Sequence, residues 1–152
     1  MVLKASILFG SNIPNSFLKS FIETDNSIQC ITDKDGNFFK RVLNISKNEL
    51  KVTTIYFKAQ DCQKQSISYK KEQIFNYKVS NKDKQSYNLN LTLILDSTTI
   101  NGSTTSRSYS HKLYTKLSFK ENRVYINRPK EDKNFTDSDL LAFTLKPSLD
   151  LQ

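Results

Sequence analysis

The chain has 152 residues, with 23 Lys and Arg against 15 Asp and Glu, one His, two Cys and three Gly, for a formal charge of +8. That length suits a single domain, residues 1–152, able to bury a core without staples. No apolar run reaches the ~18 residues of a membrane span. A lone His and two widely spaced Cys exclude a His/Cys metal cluster within one chain, and three scattered glycines exclude a phosphate-cradling loop.

Taken in chain order, Val2–Phe9 reads as a strand ended by Gly10. Pro14 suits the first turn of a helix over 14–22, because Ile13, Phe17, Leu18, Phe21 and Ile22 recur at helical spacing. Thr24-Asp25-Asn26 breaks it. Residues 27–32 and 37–46 read as a hairpin across Asp33-Lys34-Asp35-Gly36, whose Asp and Gly tolerate positive φ. Leu50–Gln60 is rich in β-branched and aromatic residues and reads as a strand, and 66–80 as one long strand or two short ones. Asn81–Lys84 is a polar turn.

Ser86–Ser97 has the plainest alternation: Tyr87, Leu89, Leu91, Leu93 and Leu95 on one face, Asn88, Asn90 and Thr92 on the other. Thr98–Arg107, rich in Ser, Thr, Asn and Gly, reads as a mobile loop. His111–Phe119 places Leu113, Leu117 and Phe119 inward, Lys120-Glu121-Asn122 turns the chain, and Arg123–Asn127 returns with Val124 and Ile126 inward until Pro129. Thr136 with Asp139 three residues later resembles a capping box and predicts a second helix over 137–145. The expected fold class is mainly β: a small antiparallel barrel or sandwich, an OB-like barrel favoured, with two short helices.

No catalytic apparatus is legible. Ser110 adjoins His111, but neighbours on a strand point to opposite faces. Asp33, Asp35 and Gly36 match part of a calcium loop only loosely, since Ile31 and Val42 occupy two of its ligand positions. The remaining acids fall in predicted turns. The expectation is therefore a non-enzyme with no catalytic residues, no metal and no cofactor.

The charge is uneven. Residues 107–130 hold seven cations with Glu121 as their one acid, whereas 131–152 are net acidic. If Leu113, Leu117 and Phe119 face inward, Lys112, Tyr114, Lys116 and Lys120 face out, and Arg123 and Tyr125 join them from the return strand. Cations interleaved with tyrosines suit single-stranded nucleic acid, with phosphates on lysines and bases on rings. The solvated face of any antiparallel sheet can carry the same residues. Tyr69, Lys70, Lys71, Tyr77 and Lys78 form a second candidate group.

These residues favour an accessory subunit of a nucleoprotein complex, docking other protein subunits and contacting single-stranded DNA or RNA, with no membrane partner. The alternative is a self-assembling subunit of a viral, phage or injection particle, with Leu50–Gln60 and Tyr87–Asp96 as exposed pairing edges. Cys30 and Cys62 are expected as free thiols, which suits an intracellular site, nuclear or cytoplasmic.

Overall fold

A computed structural model describes residues 12–23, 31–60 and 62–145. Among these residues nine strands form one antiparallel sheet: β1 (Ser20–Glu23), β2 (Ile31–Thr32), β3 (Phe38–Ile45), β4 (Glu49–Phe57), β5 (Ile67–Asp83), β6 (Ser86–Ile100), β7 (Ser103–Lys120), β8 (Arg123–Asn127) and β9 (Leu140–Leu145). From β3 to β9 each strand pairs with the next in the chain. β1 then pairs with β9 on one side and with β3 on the other, so Phe21 lies opposite both Leu43 and Leu145. This closes an eight-stranded barrel, with the short β2 attached to β3 outside the ring.

A small antiparallel barrel is thus what the alternating patterns build. Its strands run up and down in chain order, unlike the five-stranded Greek key of an OB barrel. Leu50–Gln60 and Tyr87–Asp96 are not edges: β4 is paired on both sides by β3 and β5, and β6 by β5 and β7.

Three hairpins turn on two residues each: Lys84-Gln85, Asn101-Gly102 and Glu121-Asn122. Lys84, Asn101, Gly102 and Glu121 all have positive φ, the backbone twist that two-residue hairpins need. Two expectations are corrected here. Residues 81–83 continue β5, and the expected loop over 98–107 is a hairpin whose strands meet at Asn101-Gly102.

The first expected helix is a 3-10 turn, Asn15–Phe17, followed directly by β1. Phe21 and Ile22 are both buried, but on a strand they face opposite ways; only Phe21 joins the main core. The second expected helix is also a 3-10 turn, Asp137–Asp139, followed by β9. Thr136 and Asp139 do meet, but not as a capping box: the Thr136 hydroxyl donates to the Asp139 carboxylate at 3.1 Å, and the Asp139 N–H donates to the Thr136 carbonyl at 3.0 Å, closing a single turn. Beyond that turn, strand pairing with both β8 and β1 satisfies the backbone and prevails over the local helical signal. The strand expected over Val2–Phe9, and most of the one expected over 27–32, lie outside the described residues.

The core fills the interior. Leu89, Leu91 and Leu93 are buried, as are Leu117, Phe119, Val124 and Ile126. Thr115 is also fully buried on the inner face, its hydroxyl donating to the Asn127 carbonyl. Leu95 departs from the expected row. A β-bulge between Leu93 and Leu95 inserts Ile94, so Leu95 leaves the inner face and sits opposite Ile74. One end of the barrel is stoppered by Ile13, Phe17 and Leu18: Phe17 stacks on Phe119 with centroids 3.9 Å apart, and Tyr87 meets Phe119 edge-on at 5.9 Å.

Cys62 is disulfide-bonded, which corrects the expectation of a free thiol there and removes the cysteine argument for a reducing compartment. Cys30 lies outside the described residues. Cys62 packs with Phe57 in a small second cluster flanked by Phe38 and Ile55.

Two measurements check this account. Leu91→Ala removes a fully buried side chain and lowers unfolding free energy by ~2–5 kcal/mol in urea denaturation, whereas Leu95→Ala costs under about 1 kcal/mol because the bulge has turned it out of the core. Tyr77 is buried with its hydroxyl donating to the Ser46 carbonyl at 2.6 Å, and burial pushes its phenol up to about 12. A raised folded-state value favours the neutral form, so this contribution is whole below the unfolded value near 10 and is lost as pH rises toward 12. Between about pH 9 and about pH 11.5, stability of the wild type therefore falls more steeply than that of Tyr77→Phe.

Candidate functional site: the open end of the barrel

The strands differ greatly in length. β5, β6 and β7 run for 17, 15 and 18 residues, while β1, β8 and β9 have 4, 5 and 6. The end opposite the Phe17 stopper is therefore lopsided, with a tall β4–β7 wall facing a low rim. Inside it lies a cavity of about 490 Å³. Leu43, Leu50, Phe75, Leu91, Ile126 and Phe143 form its floor, and all of them belong to the barrel core.

Above that floor the lining changes character. Inward-facing rows cross the wall from strand to strand: Val52 opposite Gln73 and Gln73 opposite Asp96, then Thr54 opposite Lys71 and Lys71 opposite Thr98. The Ile94 bulge makes this change on β6. Before it, Leu89, Leu91 and Leu93 point inward; after it, Asp96 and Thr98 do. Tyr56 and Tyr69 stack at 4.4 Å higher up the wall. Burial holds the Tyr69 phenol above its usual range, with the neighbouring Tyr56 adding to the shift.

Among the described residues three cations line the cavity, Arg41, Lys71 and Arg128, with Asp96 as the lining carboxylate. Arg41 is held on three sides. Its Nη1 meets Glu23 Oε2 at 2.6 Å, its Nε donates to Thr54 Oγ1 at 3.3 Å, and its guanidinium lies 4.7 Å from the Phe39 ring centroid. Both members of the Arg41–Glu23 pair are largely buried, at 16% and 11% side-chain exposure, so each depends on the other to offset desolvation. Lys71 and Arg128 form no ion pair among the described residues; Lys71 Nζ lies 5.9 Å from the Tyr69 ring.

The six residues singled out from the sequence lie elsewhere, on the outer face of β7 and β8. Lys112, Lys116, Lys120 and Arg123 are exposed, and Tyr114 and Tyr125 half-buried. Lys120 stands opposite Arg123 and Tyr125 opposite Ser118. Rows continue this face onto β5: Tyr114 to Asn90 to Lys78, and Lys112 to Thr92 to Asn76. These side chains border an open groove on the outer surface. One face of Tyr114 is already occupied, with Lys133 Nζ 4.9 Å from its centroid, and its backbone pairs with Lys130.

The second group is divided by the barrel wall. Tyr69, Lys71 and Tyr77 lie on the inward-facing row, Lys70 and Lys78 on the outward one. Lys70 is paired with Glu72 at 3.0 Å. Burial alone would raise the Glu72 carboxyl, but hydrogen bonds and charge from Lys70 and Lys51 overcome it and hold it below its usual value. His111 meets Glu131 at 3.0 Å on the surface.

Sequence reasoning missed Arg41, Arg128 and Asp96, and grouped Lys71 with residues that the wall separates from it. The adjacent apolar pair Ile94-Leu95 was the one available signal, since it interrupts a strict alternation and so marks a bulge. Arg41, Lys71 and Arg128 come together only through the closed ring. No protein-family profile matches the chain, and no curated protein matches it in sequence.

Proposed function

We propose that the protein is a non-catalytic binding protein that holds one small, largely apolar molecule in the open end of its barrel. A single observation carries this reading: a closed barrel, stoppered at one end by Phe17 on Phe119, opens at the other onto a cavity of about 490 Å³ with an aliphatic and aromatic floor. Barrels of about eight strands have room for side chains or for one small ligand. Ligand cavities typically combine an apolar lining with a few polar groups that fix orientation, as the floor and upper wall do here.

The test is titration with a neutral solvatochromic dye such as Nile red. The wild type should bind one equivalent with a saturable blue shift. Val52→Trp, which fills the cavity from β4, should abolish the shift while the circular dichroism stays that of the wild type. Equal binding by the variant would place the dye outside the barrel.

The outer face supports a second reading, an accessory subunit contacting single-stranded nucleic acid or a protein partner. Its supporting observation is the alignment of Lys112, Lys116, Lys120 and Arg123 with Tyr114 and Tyr125 on one side of β7 and β8. On that reading a short single-stranded oligonucleotide binds at low salt, and Lys112→Ala or Lys116→Ala each lowers the slope of log affinity against log salt by about 0.7. Absence of oligonucleotide binding by the wild type at low salt would remove direct contact and leave protein docking.

A further inference from the structure

From the charges around the cavity we infer that the ligand is an anionic amphiphile, its apolar chain on the barrel floor and its acidic head between Lys71 and Arg128. This rests on the reading of the barrel end as a binding site and adds the chemical class of what fills it.

The lining divides by depth. Leu43, Leu50, Leu91 and Phe143 offer nothing but hydrocarbon, so a polar group placed among them would lose its water without gaining a partner. A head group therefore belongs at the upper wall. There the charges do not balance. Among the described residues lining the cavity, Arg41 is neutralised by Glu23 at 2.6 Å, which leaves Lys71 and Arg128 against Asp96. Arg128 also borders a neighbouring recess with Asp33 and Asp35, where the Asp33 carboxylate is engaged by Asn37 and the Asp35 N–H of its own turn. Neither Lys71 nor Arg128 makes an ion pair among the described residues, and both are exposed enough to move toward a ligand. Two cations with no carboxylate partner among the described residues, at the mouth of a low-dielectric cavity, raise the local concentration of anions and stabilise a bound carboxylate through charge-assisted hydrogen bonds.

Asp96 sharpens the selection. Its carboxylate faces the cavity from β6 one row below Lys71, so a cation can be accepted there only against Lys71 and Arg128. A head group with both charges or with none gains less than an anion does.

The experiment uses the whole chain and three probes of equal chain length, each below its micelle concentration: dodecanoate, 1-dodecanol and dodecyltrimethylammonium, read by displacement of Nile red. The expected order in affinity is dodecanoate, then the alcohol about tenfold weaker, then the ammonium weakest. The double variant Lys71→Gln/Arg128→Gln should lose the preference for dodecanoate over the alcohol while binding the alcohol as the wild type does. If the alcohol binds the wild type as tightly as dodecanoate, the anionic head is refuted and the apolar site stands. If the double variant keeps the full preference, Lys71 and Arg128 are not its source and the inference fails. If neither dye nor any probe binds, the binding-site reading itself falls.

Discussion

Ring closure through β1 is the contact on which the rest of the molecule depends. Four residues, Ser20–Glu23, bridge β3 and β9, so that no backbone edge remains along the barrel seam at that height. Phe21 concentrates the closure: it is opposite Leu43 on one side and Leu145 on the other, and it points into the core. The segment just before it stoppers the barrel through Phe17, and the residue at its end, Glu23, pairs with Arg41 at the mouth. A stretch of about a dozen residues thus joins the stopper, the seam and one wall of the cavity. Opening the seam would expose the ladder groups of β3 and β9 together and would leave Arg41 without its carboxylate, which is costly for a cation so little exposed.

The cavity exists because the ring is uneven. Were all strands as short as β8, the interior would be filled by one layer of large side chains, as happens near Phe119 and Tyr87. The long β5–β7 wall extends past that layer without an equal wall facing it. The Ile94 bulge then changes the chemistry of this extension at the level where the core ends. Were β6 regular there, with Ile94 paired in the ladder, Leu95 would stand opposite Gln73 where Asp96 now stands, and the apolar floor would continue upward.

The barrel was legible where the alternation was strict. Leu89, Leu91 and Leu93, with Leu117, Phe119, Val124 and Ile126, are buried as the pattern demands, and the outward set on β7 and β8 is outward. It failed where local signals competed with pairing demands beyond their reach. Thr136 and Asp139 close one turn, but β8 and β1 both need a neighbour and Leu140–Leu145 supplies it. The Ser/Thr composition of 98–107 suggested a loop, yet the Asn101-Gly102 pair inside it is a strong hairpin signal that outranks composition. The cavity was illegible for a different reason. Its charged lining comes from β3, β5, β6 and the segment after β8, and no spacing within the chain relates Arg41, Lys71, Asp96 and Arg128.

The inequality of the strands has one more consequence. β8 pairs with β7 only from Leu117 onward, and Lys130 bridges Tyr114, so among the described residues the outer side of Ser103–Leu113 has no partner strand. Apart from Tyr109 and Leu113 that segment consists of Ser, Thr, Arg, His and Lys, a composition whose hydration discourages the addition of a further strand. Amide protons along it should therefore divide by direction. Those donating to β6 share in the protection of the folded ring, and those facing the open side exchange with solvent almost as fast as in a free peptide. The same strand would then record, amide by amide, both the most persistent and the most fleeting parts of the fold.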